Sequence, residues 1–367
     1  MRIKKLLEEW KIAGILLVLI VCGAFLLRIY NLTTIPIFVD EAIYIHWAQI
    51  ISAESTQRFL PQSSEGKQPL FMWMMTVFLV LINDPLVAGR LLSVITGIFT
   101  LLGVFLTMFY LSKSKKVALI ACLIYAISPF TLFFDRMALA DSMLTMFGVW
   151  TMLFSALLAR TGRLDTAMLT GFSLGGALLT KSPAIFFALL LPASWLLSIW
   201  PKSATERVMK LLKLTVLNLI ALAIAFLMYN ILRLGPGFEQ IGIQNQKYVF
   251  PISHLWTNPL DPFVPHIKDV AIWFWDLGPS AFIFLVLIGL TAGLLRRRVE
   301  TLFVSIWVFV PLTAVMMYGR VFTARYILYT IPPLIMLAAF VFAYLKEKYA
   351  KLLFIVLGIF ILQAIWT

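Results

Sequence analysis

Long apolar runs, most of them near the length of a membrane crossing, recur along this chain of 367 residues, and short charged clusters separate them. The runs fall at about 12–30, 86–111, 117–134, 138–159, 166–181, 183–200, 210–233, 271–295, 300–319, 326–345 and 351–367. A helix needs about 20 apolar residues to cross a bilayer, and a lone helix satisfies its own backbone hydrogen bonds there. The pattern therefore predicts an all-α polytopic membrane protein with about 11 transmembrane helices. The run at 166–181 is short and glycine-rich, so as a span it requires close packing or local thinning. A further run, 69–83 (PLFMWMMTVFLVLIN), is roughly 15 residues long and predicts a surface or re-entrant helix. The stretches between runs are too short for a separate soluble core. Residues 1–367 thus read as one integral membrane domain. An outer loop at 31–85 carries surface helices, and a Pro-rich aromatic loop at 234–270 forms a lid or acceptor platform.

Composition agrees, with 62% hydrophobic and 13% charged residues. The formal net charge of +13 raises a nucleic-acid reading, which its distribution rejects. If 69–83 does not cross, the basic clusters at Arg2/Lys4/Lys5/Lys11, Lys113/Lys115/Lys116, Arg160/Arg163, Lys202/Arg207/Lys210/Lys213, Arg296/Arg297/Arg298 and Lys346/Lys348/Lys351 share one face. That face then holds 19 of the 30 Lys and Arg with six acids, and the other face carries 11 of each sign. The positive-inside rule puts the N-terminus in the cytoplasm and the balanced face outside the inner or plasma membrane. MRIKKLLEEWK before a long apolar run reads as an uncleaved signal anchor. Cys22 and Cys122 lie in apolar runs, read as buried small hydrophobes, and offer no redox or metal spacing.

The outer face collects Asp40, Glu41, Lys67, Arg90, Asp135, Arg136, Asp141, Lys181, Arg320 and Arg325. Ionisable groups at membrane depth are costly, and they line cavities or pair with one another. Asp40-Glu41 has two readings: carboxylates at a helix start, where the dipole favours them, or a catalytic carboxylate. Lys181 either snorkels to the interface or offers a point charge to an anionic head group such as a phosphate. Pro183 interrupts the helix beside it, and Pro69 starts the surface helix after Lys67. Tyr248 and Trp256 in the late loop either stack on sugar faces or anchor at the interface. His46, His254 and His266 lack ligand spacing; Asp40, Glu41 and His46 form the one local cluster at which to test for a divalent metal, and no cofactor is indicated.

The order FVDEAIYIHWAQ, EGKQPLFMW, DRMALADSMLTMF, LLTKSPAIF and RYILYTIPPL resembles the GT-C glycosyltransferases. Within them it is similar to the bacterial protein O-mannosyltransferase and aminoarabinose-transferase branch. The resemblance implies a GT-C fold and a transferase that takes a sugar from a polyprenyl-phosphate donor in the membrane, without a nucleic-acid partner and with an open acceptor. It places the general base at Asp40 with Glu41 beside it, and donor-phosphate contacts at Lys67, Lys181, Arg325 and Arg136. Asp141, Tyr326, Arg320 and His46 complete the candidate site. Two positions depart from the family pattern: Gln68 stands where Pro is common, and Ser182 stands where Gly is. A lipid-linked saccharide flippase and a polysaccharide polymerase or ligase are the competing readings. A transporter places its charges near the midplane and on both access routes; here they gather on one face.

Overall fold

The computed structural model describes residues 2–278, 280–296, 298–344 and 350–366. Of the residues in the charge pattern, Arg297, Lys346, Glu347 and Lys348 lie outside it, as do the side chains of Arg2, Lys4, Lys5, Glu8, Glu9 and Lys351. The described chain is almost entirely helical, and its one β-contact is an isolated bridge between Val249 and Gly319.

The first half runs α1 (Arg2–Ile29), α2 (Val39–Ala53), α3 (Leu60–Glu65), α4 (Leu70–Leu81), α5 (Pro85–Ser112), α6 (Lys115–Ile127), α7 (Pro129–Phe134), α8 (Ala140–Thr161) and α9 (Leu164–Thr180). The second half runs α10 (Ile185–Leu190), α11 (Ala204–Tyr229), α12 (Phe238–Tyr248), α13 (His254–Thr257), α14 (Phe263–Asp276), α15 (Ser280–Leu295), α16 (Val299–Tyr318), α17 (Ile331–Ala339), α18 (Val341–Tyr344) and α19 (Ala350–Trp366). Local chemistry sets many boundaries. Asp84 caps α5 by accepting from the Leu86 and Val87 amides at 2.8 and 3.1 Å, with Pro85 at the first helical position. Gly162, at φ 61°, ends α8 in the left-handed conformation that glycine adopts without strain.

Six helical segments among the described residues are long and apolar enough to cross a membrane, or seven if α14 and α15 form one broken span. This differs from the expectation of about 11. The runs at 117–134, 166–181, 183–200, 271–295 and 351–367 fold as helices that are shorter, broken or bent. The reasons are local: Pro129 separates α6 from α7, Pro183 and Pro192 break 182–197 into short turns, and α14 meets α15 at 114° just past Gly278. The run at 69–83 yields only the 12-residue α4, about 18 Å long at 1.5 Å per residue.

Packing supplies the rest. α5, α8, α9 and α11 lie side by side, α17 closes against α5 and α8, and α16 packs on α17. Between helices in lipid the driving force is close packing, which small residues permit. A Cβ at Gly171 on α9 would stand 2.8 Å from the Ala221 carbonyl oxygen of α11. α1 instead turns Val18 and Leu19 outward, each about 60% exposed, as a lipid-facing surface does. Cys122 is buried as read from its run, but Cys22 is exposed on α1, which packs along only part of its circumference.

Candidate active site

The adjacent acids in the first turn of α2 separate at once. Glu41 is fully buried. Its oxygens accept from Arg90 Nε and Nη2 at 2.9 and 2.8 Å, from the Ala138 amide at 2.7 Å and from the Phe38 amide at 3.0 Å. The last bond is the reach-back of a capping box. Arg90 also donates to the Leu32 and Ile35 carbonyls at 2.8 and 2.9 Å, which fastens the segment after α1 to α5. Four donors occupy the Glu41 carboxylate and no face of it is open. Glu41 thereby fastens the start of α2 to α5 and to the Ala138 segment. The next position round the helix differs. Asp40 pairs with Nη2 of Arg325 and keeps 20% of its side chain exposed.

Arg325 and Tyr326 begin the turn Ala324–Thr330 that leads into α17. Across from them α9 ends at Lys181, whose backbone is extended (φ −162°, ψ 145°) because Pro183 cannot continue the helical hydrogen-bond ladder. Its ammonium donates to Asp141 Oδ1 at 2.6 Å and lies 4.6 Å from the Tyr326 ring centre. The Arg325 guanidinium is 5.1 Å from the same ring. Lys67 sits between the rings of Tyr44 and Tyr248, 5.9 and 5.7 Å from their centres. Burial first, then the charges of Asp141 and Asp40, push the Tyr44 phenol well above its ordinary range, so it remains a hydrogen-bond donor. The two departures from the family pattern touch: Gln68 Nε2 donates to Ser182 Oγ at 2.6 Å, tying the Lys67 loop to the Lys181 loop.

These groups stand at one end of a cavity of about 690 Å³. Glu65, Lys67, Gln68, Lys181, Tyr248, Tyr326, Gln244 and Asn245 supply its polar lining, and Leu174, Leu178, Leu222, Phe226, Ile185 and Val315 form an apolar wall. Asp40, Asp141 and Arg325 stand one layer behind the lining, reached through Lys181 and Tyr326. The late loop contributes α12, which packs on α3, and Tyr248, while Trp256 is 82% exposed. A second, more open cavity of about 1060 Å³ beside α4 has Arg58 as its one charged lining residue and no carboxylate. An apolar channel ending in cations suits an amphiphile with an anionic head, and the first cavity has that form.

Other expected site residues lie elsewhere. Arg136 donates from Nη2 to the Tyr30 and Asn31 carbonyls at 2.7 and 2.8 Å, so it braces the exit of α1. Arg320 is exposed and lies 5.0 Å from the Phe250 ring centre, at the rim where Val249 bridges to Gly319. His46 is exposed on α2, away from its buried face of Tyr44, Trp47, Ala48 and Ile51. The cluster of Asp40, Glu41 and His46 does not assemble, and among the described residues no three His, Cys, Asp or Glu gather at metal-binding distance. Asp135 is fully buried with Arg28, Tyr125 and Ser142, at 3.0, 3.0 and 2.9 Å. Sequence reasoning missed Tyr44 and Arg28, and marked Gln68 only as a departure from the family pattern. Tyr44 was accessible to it, because a residue four positions after Asp40 shares its helix face.

Comparison with known proteins bears on this arrangement. Residues 63–233 match the family model described as dolichyl-phosphate-mannose-protein mannosyltransferase. No curated protein matches the chain. Among solved structures it is similar to ArnT from Cupriavidus metallidurans in the apo state, with a TM-score of 0.62 and 18% identity over 92% of this chain and 61% of that one. The same protein bound to undecaprenyl phosphate gives 0.62 and 16%, covering 96% and 63%. The Archaeoglobus fulgidus oligosaccharyltransferase in the apo form gives 0.58 and 15%, covering 94% and 52%. The chain thus spans about three-fifths of the length of ArnT and about half that of the oligosaccharyltransferase. It is an integral membrane protein with the GT-C glycosyltransferase fold, and residues 63–233 carry the mannosyltransferase pattern within it.

Proposed function

We propose that the protein is a membrane glycosyltransferase that moves a sugar from a polyprenyl-phosphate donor to an acceptor hydroxyl at the outer face of the cell membrane, with its N-terminus in the cytoplasm. The observation that carries this reading is the single cavity in which an apolar channel ends at Lys67 and Lys181, beside the Asp40–Arg325 pair. The polyprenyl chain lies along Leu174, Leu178, Leu222 and Phe226, and the phosphate meets Lys67. Lys67 is the cation best placed to hold it, since Lys181 and Arg325 each already face a carboxylate. Gln68 and Ser182 fix the spacing of the two lysines across the phosphate.

The reaction is a single displacement with inversion. The acceptor oxygen forms its bond to the anomeric carbon as the carbon–oxygen bond to phosphate breaks. The electron pair leaves with the lipid phosphate, and the acceptor proton passes to Asp40. Arg325 holds the Asp40 carboxylate in place in the resting site. An arriving phosphate competes with Asp40 for Arg325. Lys67, Lys181 and Arg325 stabilise charge developing on the leaving phosphate. Residues 1–367 act as one membrane-embedded catalytic unit, with α12 and Tyr248 as the acceptor-side cover.

Purified protein in lipid discs, given a radiolabelled polyprenyl-phosphate sugar, is the test. Transfer or hydrolysis supports the enzyme, and movement of the lipid across the bilayer without chemistry supports a flippase. Asp40→Asn should lower turnover by about 10²–10⁴-fold, the worth of a positioned base, with an unchanged elution profile. Turnover near that of the parent would remove Asp40 from this role.

A further inference from the structure

Asp141 uses only half of its carboxylate. Oδ1 accepts from Lys181 at 2.6 Å, whereas Oδ2 is buried and has no hydrogen-bond partner within the protein. The side chain is 4% exposed. A charged oxygen removed from water and left unbonded is costly, so one in a built site marks a place for a donor from outside the chain. Its surroundings are polar. Lys181, its partner, lies 4.6 Å from the Tyr326 ring centre, and Tyr329 Oη in the same turn likewise has no partner. Arg325, 5.1 Å from the same ring centre, gives one nitrogen to Asp40 and leaves Nε and Nη1 unbonded. Acceptor and donors therefore stand together, unspent, behind Lys181 and Tyr326.

Phosphate does not suit Asp141 Oδ2, because two anions repel. A neutral group with an O–H does. We propose that Asp141 Oδ2 accepts a hydrogen bond from a ring hydroxyl of the donor's sugar, so that Asp141 separates a glycosylated lipid phosphate from the bare one. This rests on the lipid-phosphate reading of the cavity. Lys181 joins the two halves of the donor: its ammonium lines the phosphate end of the cavity and also holds Asp141 in place. The sugar, one anomeric linkage from the phosphate, then meets Asp141, Tyr329 and Arg325. A site that bonds a substrate hydroxyl rejects the analogue that lacks it, since the buried partner is left unpaired. The role is specificity, distinct from the proton transfer assigned to Asp40.

The test measures binding to purified protein in lipid discs of undecaprenyl phosphate and of undecaprenyl phosphates carrying mannose, glucose, arabinose or N-acetylglucosamine. At least one glycosylated lipid should bind about tenfold or more tighter than the bare lipid. In Asp141→Asn that gain should fall below about twofold, while the bare lipid binds no more weakly, because losing a carboxylate beside Lys181 favours an anion. A purely structural role for Asp141 would weaken bare and glycosylated lipids alike, and that result overturns the proposal. So does a gain that survives the substitution, or the absence of any gain in the parent protein. On the parent alone, monodeoxy analogues of the tightest lipid should lose about tenfold at one ring position, and uniform tolerance overturns the proposal even if the variant fails to fold. Failure of bare undecaprenyl phosphate to bind at all breaks the donor reading itself.

Discussion

Two sets of ion pairs share the same short segments of this protein and differ in what they leave unbonded. Arg90–Glu41 and Arg28–Asp135 have no exposed side-chain surface. Each carboxylate there meets three or four donors, and each arginine reaches several backbone carbonyls. Arg325–Asp40 and Lys181–Asp141 touch solvent and carry unbonded buried atoms at Asp141 and Arg325. The contrast holds within short stretches of sequence, since Glu41 follows Asp40 and Asp141 lies in the same DRMALAD segment as Asp135. A saturated pair fixes helices, and an unsaturated one can still receive a ligand. In lipid this distinction is sharp, because no bulk water supplies a missing partner.

The comparison can be broken at either set. Loss of transfer in Asp40→Asn is the largest effect expected, and the fold should survive it. Arg90→Met leaves Glu41 buried and unpaired, and should cost about 3–5 kcal/mol of stability, read as loss of monodisperse protein on detergent extraction. Pairing it with Glu41→Leu should recover much of that loss, because an apolar pair of similar size removes the stranded charge. No such rescue should be found for activity at Asp40 and Arg325. Lys67→Gln should weaken undecaprenyl phosphate binding by about tenfold to a hundredfold, the worth of one charge-assisted contact, at unchanged stability. Equal binding by parent and variant would move the phosphate away from Lys67.

Gly97→Ala probes the structural set from outside. A Cβ there would lie 2.4 Å from Asp135 Oδ2, so the Arg28–Asp135 network must shift, at about 1–3 kcal/mol. A thermal midpoint unchanged from the parent would show that the network is slack. His46→Gln should be the smallest effect, within about 0.5 kcal/mol in stability, with transfer unaltered. A marked fall in transfer on that change alone would return His46 to the site.

Much of this was legible in the sequence. Lys67, Asp141, Lys181, Arg325 and Tyr326 stand out as polar residues inside apolar surroundings, and the structure brings them together with Asp40. Sequence context shows that a charge is costly where it stands, but not which neighbour satisfies it. Arg136 and Asp141 look alike in DRMALAD, yet one binds the carbonyls of residues 30 and 31 and the other faces Lys181. Arg28 gives no sign of its role in sequence, because its partner Asp135 lies 107 residues away. The number of long spans differs from the expectation for a related reason. Apolar length is visible in sequence, but helix breaks at Pro129, Pro183 and Gly278 turn some runs into short or bent pieces.

By itself, then, the sequence determined the membrane class, the mostly helical build and the set of charges that had to be accounted for, because an ionisable side chain in an apolar run must find a partner or a cavity wherever it folds. Only the tertiary structure decided which charges cancel and which remain available, because that depends on distances between helices far apart in the chain. The Asp-Glu pair shows both limits. Sequence located it at a helix start and offered capping or catalysis. The fold gave capping to Glu41 and left Asp40 open, since one step along a helix turns a side chain by about 100°.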